Sequence, residues 1–258
     1  MKENLKIVYL LFGVVLVLTA VALLWIPLLL HYGNQKVKVS PVAKTLTTSP
    51  VVSTNSDEAK ILFFTNNIFP IVKHIRSEQW GIKALNTRHS ELAGAILKRY
   101  GKPYNVEIGI NYGKGETNME SMLALCYLQT DGSPAVRLYV PTAMWLFGNL
   151  SRSGNTNWQE QFVYAITIAY FHEMDHLSEG LLNTNMAVYA TTEQKIAYET
   201  RAAALTCEHT IRRLLEFPGI TLTEDDRQLY EAWVKSGRNE ESPIWQNTVK
   251  KRWQLQKP

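Results

Sequence analysis

The longest apolar run of the chain lies near its N-terminus. Residues 7–30 contain no charged side chain, and a helix of this length would cross the roughly 30 Å hydrocarbon core of a bilayer. Ala20-Val21-Ala22 has the small residues of a signal-peptide cleavage site, but cleavage there would leave an exposed apolar N-terminus. We therefore expect an uncleaved transmembrane signal anchor at 7–30, behind a short tail at 1–6.

The composition changes after this apolar run. Residues 31–57 are rich in Ser, Thr, Val and Pro and show no helical period, which is typical of a flexible linker. Lysines flank both ends of the apolar run, so they do not fix its orientation. Because the tail is short and the following domain, 58–258, is large, we expect this domain to be extracytoplasmic.

Period-two alternation predicts a small antiparallel sheet early in the domain. Residues 106–112 alternate apolar and polar side chains and are predicted as a strand. Residues 122–140 are predicted as a hairpin with its turn at 131–134 (Asp-Gly-Ser-Pro). Its second strand, 135–140, ends before Pro141.

Helical periodicity and end signals predict helices in the rest of the domain. A helix beginning at 57 should break or kink at Pro70, and a long apolar helix should run from a capping box at Asn157 and Glu160 to Gly180. The other predicted helices cover residues 87–101, 191–217, 223–237 and the basic C-terminal tail. The pattern as a whole indicates an α+β domain.

Composition narrows the class of protein only a little. The 258 residues are 46% hydrophobic and 19% charged, with a formal net charge of +4, which fits one globular domain. No long Lys/Arg run and no zinc-finger spacing occurs, so we expect no nucleic-acid partner. The two cysteines, Cys126 and Cys207, neither define nor exclude a disulfide, and the oligomeric state stays open.

The long apolar helix carries the candidate chemistry. His172 and His176 are four residues apart and project from one face of the helix, a spacing that suits two imidazole ligands of one tetrahedral Zn²⁺. Glu173 is set about 100° around the helix from His172, where it can reach a water at the open metal position. This H-E-x-x-H pattern is typical of metalloproteases, with the glutamate as general base.

A third metal ligand is available on the next predicted helix. Glu199 lies in the stretch AYETRAAALTC, where Ala202 and Ala203 are small enough to let the two helices approach closely. With these residues the chain resembles the gluzincin branch of the zincin metallopeptidases over about residues 135–215. The resemblance implies a zincin-like fold, one Zn²⁺ on His172, His176 and Glu199, and hydrolysis of a peptide or protein substrate.

Other residues near the motif are weaker candidates. We expect Asp175 to support the site or to cap the helix, and nothing in the sequence chooses a residue that polarises the substrate carbonyl. The alternative metal ligands are Glu193, Glu208 and His209, and the alternative carbonyl-polarising residues are Tyr189, Tyr198 and His209.

A second, local resemblance concerns the same motif. HEMDHL is similar to the H-E-x-D-H-L motif of peptide deformylases, whose third metal ligand is a cysteine from an upstream E-G-C-L-S motif. Cys126 stands upstream here, but in the context LALCYLQ, and Gly180 comes one residue later than in that motif. These departures favour Glu199 over Cys126 as third ligand.

Three functions therefore follow from the sequence. The first is a membrane-anchored zinc metallopeptidase; if the strand 135–140 is an edge of the sheet, an extended substrate could pair with it, as in other zincins. The second is a non-catalytic, membrane-tethered zincin-fold scaffold whose metal is structural or absent. The third is a deformylase-like metal amidase.

Overall fold

The computed structural model describes residues 56–76, 82–112, 122–181 and 192–255. Within these ranges the protein is mixed α+β, mostly helical, with a small three-stranded sheet. The anchor predicted at 7–30 and nearly all of the linker lie outside the described residues. Among the helices that are described, none has both the length and the apolar character needed to cross a membrane.

The elements follow one another in a simple order. The helices are α1 (Asp57–Phe63), α2 (Phe69–Arg76), α3 (Lys83–Tyr100), α4 (Val140–Arg152), α5 (Trp158–Glu179), α6 (Thr192–Thr206), α7 (Arg212–Leu215), α8 (Glu224–Lys235) and α9 (Pro243–Leu255). Short π-helical segments join α1 to α2 (Phe64–Ile68) and α6 to α7 (Cys207–Ile211). The strands are β1 (Asn105–Gly109), β2 (Ala124–Leu128) and β3 (Pro134–Tyr139).

The sheet has the order β1-β3-β2 and is mixed. The predicted hairpin is confirmed, since β2 and β3 are antiparallel and Gly132 in their turn has a φ of 79°. The expectation of a wholly antiparallel sheet is wrong: β3 lies between β1 and β2, and it pairs with β1 in parallel. The strand β3 is central, so the hypothesis that it is a substrate-pairing edge is also wrong.

The helix α5 lies at the centre of the domain. It packs against α2, α3, α4 and α6 and against the strands β2 and β3. Nearly every residue from Gln161 to Leu177 is buried, which explains why its sequence is apolar on all sides. The predicted capping box is wrong: Asn157 has φ −100° and ψ 17°, and its side-chain amide donates instead to Thr221 Oγ1 at 3.0 Å. That backbone conformation is not the extended one from which an N-cap side chain reaches back to the helix.

Two prolines lie at the starts of helices. Pro141 does not simply end β3, because the chain passes directly from Tyr139 into α4, a helix that the sequence pattern did not predict. Proline is tolerated there because the N–H groups of the first helical turn have no partner within the helix. Pro70 follows the π-helical segment, at whose end the Phe69 N–H donates to the Phe64 carbonyl. The α-helix expected to break or kink at Pro70 is thus interrupted just before it by a π-helical turn.

Candidate metal centre

Two neighbouring helices bring the candidate ligands together. His172 and His176 lie in the last two turns of α5, and Glu199 lies in the middle of α6. The two helices pack against each other, with Ala202 and Ala203 of α6 buried. Small side chains at these positions allow the close approach that the sequence indicated.

The three donor atoms form a nearly regular triangle. His172 Nε2 lies 3.1 Å from Glu199 Oε2 and 3.2 Å from His176 Nε2, and His176 Nε2 lies 3.5 Å from Glu199 Oε2. Tetrahedral Zn²⁺ with bonds of 2.0–2.1 Å places its ligand atoms about 3.3 Å apart. Among the described residues, these three form the group of His, Cys, Asp or Glu side chains whose donor atoms could share one metal ion.

The ring of His176 is oriented by the end of its own helix. Its Nδ1 atom lies 3.1 Å from the carbonyl oxygen of Leu181. A carbonyl only accepts hydrogen bonds, so Nδ1 carries a proton, and in the neutral form of the ring the lone pair is on Nε2, facing Glu199. The Nδ1 atom of His172 likewise lies away from the cluster, 3.2 Å from the hydroxyl oxygen of Thr206.

The electrostatics of the cluster are those of a site for positive charge. Burial alone would lower the pKa of His176, but the Glu199 carboxylate raises it to about 9. Burial would raise the pKa of Glu199, but His176 and His172 hold it well below its usual range. A carboxylate and two imidazoles that converge in this way stabilise one cation between them, either a proton or a metal ion.

Glu173 lies beside this cluster and is fixed by the sheet. It is 7% exposed, and its Oε2 accepts a hydrogen bond from the backbone N–H of Cys126 at 2.8 Å. Since this N–H points away from β3, it is β2 that presents its outer edge to the candidate site. The carboxylate is thus held by the main chain of β2 rather than by the three converging ligands.

The cysteines have neither formed a disulfide nor joined the cluster. Cys126 and Cys207 are both free and buried. Burial raises the pKa of the Cys126 thiol well above its usual value, and the Glu173 carboxylate beside it raises it further. Because the thiolate is the form that binds metal, this environment disfavours Cys126 as a ligand.

The alternative metal ligands named from the sequence, Glu193, Glu208 and His209, do not belong to the cluster. Glu193 is exposed in the first turn of α6, and Glu208 pairs with Arg212 at 2.7 Å. Burial and the nearby guanidinium of Arg88 lower the pKa of His209. The tyrosine candidates are placed differently: Tyr198 precedes Glu199 on α6, whereas Tyr189 lies outside the described residues.

Sequence reasoning named Asp175 as a supporting residue but missed its two partners, Thr206 and Arg88. Asp175 is fully buried; it pairs with Arg88 of α3, and one of its oxygens lies 3.0 Å from Thr206 Oγ1. Burial raises the pKa of Asp175, while Arg88 and Thr206 act in the opposite direction. A weak signal for Thr206 did exist, because it follows Glu199 by two turns on one helix and therefore lies on the same face. No sequence pattern indicates Arg88, because it lies far from Asp175 in the sequence.

No family model, no curated protein and no solved structure matches the chain. The case for a function therefore rests on the residues of the cluster and their geometry.

Proposed function

We propose that this protein is a zinc-dependent metallopeptidase of the gluzincin type, anchored in a membrane by residues 7–30. One observation carries the proposal: His172 Nε2, His176 Nε2 and Glu199 Oε2 converge to within 3.5 Å of one another on two packed helices. Two imidazoles and one carboxylate are the protein ligands of a familiar class of catalytic zinc site, which leaves the fourth position open.

A metal ion can take the place of the proton that the cluster would otherwise hold. When the ring of His176 is neutral, its single proton is on Nδ1 and is donated to Leu181, so Nε2 presents a lone pair to Glu199. Lone pairs directed at each other repel unless a cation lies between them. Zn²⁺ suits this nitrogen-rich set, although other divalent ions accept the same ligands.

The protein's own residues then have distinct roles in hydrolysis. Bound Zn²⁺ would lower the pKa of a coordinated water towards neutrality and polarise the carbonyl of the substrate. Glu173 takes a proton from the attacking water and passes it to the leaving amine. One oxygen of this carboxylate is held by the Cys126 amide, which restricts its motion beside the ligands.

The outer edge of β2 supports a peptide as substrate. The Cys126 N–H points outward, so the main-chain groups of Ala124 and Leu128, two residues away on either side, point to the same edge. An extended peptide that paired with the other main-chain groups of this edge would lie beside the Glu173 carboxylate, which already accepts the Cys126 N–H. The substrate-pairing role that the sequence suggested for β3 is thereby proposed for β2.

The two other functions receive less support. A deformylase-like amidase would need Cys126 as metal ligand, whereas this thiol lies beside Glu173 with a raised pKa. A non-catalytic scaffold has no need for a buried carboxylate next to the metal ligands, yet Glu173 is 7% exposed and fixed in place. Membrane anchoring at 7–30 and an extracytoplasmic domain remain predictions from the sequence.

The test uses the full chain in detergent micelles, with zinc content and peptide hydrolysis measured on the same preparation. We expect about one zinc per chain. Glu173→Gln should keep the metal and lower the hydrolysis rate by about 10²–10⁴-fold, because it removes the general base. Glu179→Gln is the matched control, since this carboxylate on the same helix is 41% exposed and should leave both measurements unchanged.

Two results would contradict the proposal. Stoichiometric zinc without hydrolysis across a broad peptide library would favour the scaffold. A chain that binds no divalent metal at all would exclude both the metallopeptidase and the amidase.

A further inference from the structure

We propose that Thr206 is a positioning residue for the metal ligand His172, fixing which of its ring nitrogens faces the metal. This inference rests on the proposed metal site and adds a residue outside the H-E-x-x-H pattern. Thr206 ends α6, on the same helix as Glu199, and is 1% exposed. Its hydroxyl lies at the contact between α5 and α6.

Three groups surround the Thr206 hydroxyl oxygen. His172 Nδ1 lies 3.2 Å away, Asp175 Oδ2 lies 3.0 Å away and the carbonyl oxygen of Ala202 lies 2.9 Å away. The hydroxyl has one proton to donate and two lone pairs with which to accept. The carbonyl can only accept, and the carboxylate oxygen competes with it for the same proton.

These donors and acceptors determine the direction of the hydrogen bond between Thr206 and His172. If Thr206 gives its proton to Asp175 or Ala202, its oxygen can only accept from His172. The opposite arrangement, with Thr206 donating to the ring, would leave both oxygens facing a hydroxyl lone pair at about 3 Å. His172 Nδ1 therefore carries the ring proton, and Nε2 keeps its lone pair for the cluster with Glu199.

The hydroxyl is itself held in place from the other side. Asp175 is completely buried on α5, one residue before the ligand His176, and its second oxygen pairs with Arg88 of α3. Three helices thus meet at one polar contact, and two of them carry the metal ligands. Hydrogen bonds that orient a ligating histidine in this way are worth about 10–100-fold in metal affinity.

The experiment measures zinc affinity by competition with a chromophoric chelator, on the full chain in detergent. Thr206→Val keeps the shape of the side chain and removes the hydroxyl, and we expect it to weaken zinc binding by about 10–100-fold. Thr206→Ser restores the hydroxyl and should restore most of the affinity. Thr167→Val is the matched control, because Thr167 is fully buried on α5 and its hydroxyl donates to the Val163 carbonyl at 2.8 Å.

The variants separate a positioning role from a structural one. If Thr206→Val binds zinc as tightly as wild type, or if Thr167→Val weakens binding as much, the proposal is wrong. Failure of Thr206→Ser to recover affinity would also contradict it, because the hydroxyl would then not be the group that matters. A wild-type chain that binds zinc without hydrolysing peptides would refute only the proposed activity. The zinc affinities of the three variants would still decide the role of Thr206.

Discussion

The carbonyl oxygen of Leu181 accepts a hydrogen bond from Nδ1 of His176 at 3.1 Å, so the end of α5 orients one of its own candidate metal ligands. The Leu181 N–H donates in turn to the His176 carbonyl at 2.9 Å. Gly180, between them, has a φ of 73°, the left-handed conformation that lets the chain fold back over the last helical turn. The helix end and the metal ligand are therefore one structural unit.

The first prediction concerns this glycine. Gly180→Ala puts an alanine in the left-handed backbone region, which costs about 1–2 kcal/mol. Its Cβ would lie 2.6 Å from the present position of Arg99 Nη1. We expect a lower free energy of unfolding and, because the Leu181 carbonyl shifts, weaker zinc binding. Urea denaturation and chelator competition measure the two effects.

A control glycine distinguishes the two effects. Gly101 ends α3 with a φ of 69° and has open space where a Cβ would lie. Gly101→Ala should lower stability by a similar strain and leave zinc affinity unchanged. Equal losses of zinc affinity in both variants would show that Gly180 acts only through general stability.

The second prediction separates the two candidate third ligands. Glu199→Gln keeps the size of the side chain but removes the anionic oxygen that lies 3.1 Å from His172 Nε2, so zinc affinity should fall strongly. Cys126→Ser should leave zinc content unchanged, because this thiol lies beside Glu173. Metal analysis of the purified variants checks both, and loss of zinc from Cys126→Ser alone would revive the deformylase-like assignment.

The third prediction concerns the buried ion pair behind the cluster. Asp175→Asn removes the charge that pairs with Arg88, whose side chain is 12% exposed, and should lower the free energy of unfolding by about 3–5 kcal/mol. Glu91→Gln is the matched control: this carboxylate is 50% exposed and lies 3.7 Å from the same guanidinium. Glu91→Gln should change the free energy of unfolding by no more than about 0.5 kcal/mol. If both substitutions had similar effects in urea denaturation, burial would not determine how much these ion pairs stabilise the protein.

The fourth prediction concerns removal of the metal. Zinc at about 100 times its Kd should raise the free energy of unfolding by about 2.7 kcal/mol, provided that the unfolded chain does not bind it. Unfolding in urea with and without excess chelator measures this difference. The difference should shrink in Glu199→Gln, and a wild type indifferent to chelator would contradict a site that binds zinc in the folded state.

Much of the local structure could be read from the pattern of residues. The hairpin turn is specified by local chemistry around Gly132, and the end of α5 by Gly180. The helix α4 escaped prediction because Pro141 indicates the end of a strand and the start of a helix equally well. Asn157 had the right residue type for a cap, but its contact with Thr221, distant in sequence, decided otherwise.

The sequence alone determined that His172 and His176 share one face of a long apolar helix, with Glu173 beside them, because helical geometry fixes spacing over a few residues. Tertiary structure decided which distant groups meet there. Glu199 and Thr206 reach the histidines only because α6 packs on α5. The order of the strands likewise made β2 the edge beside Glu173, since pairing depends on where the chain returns and not on local alternation.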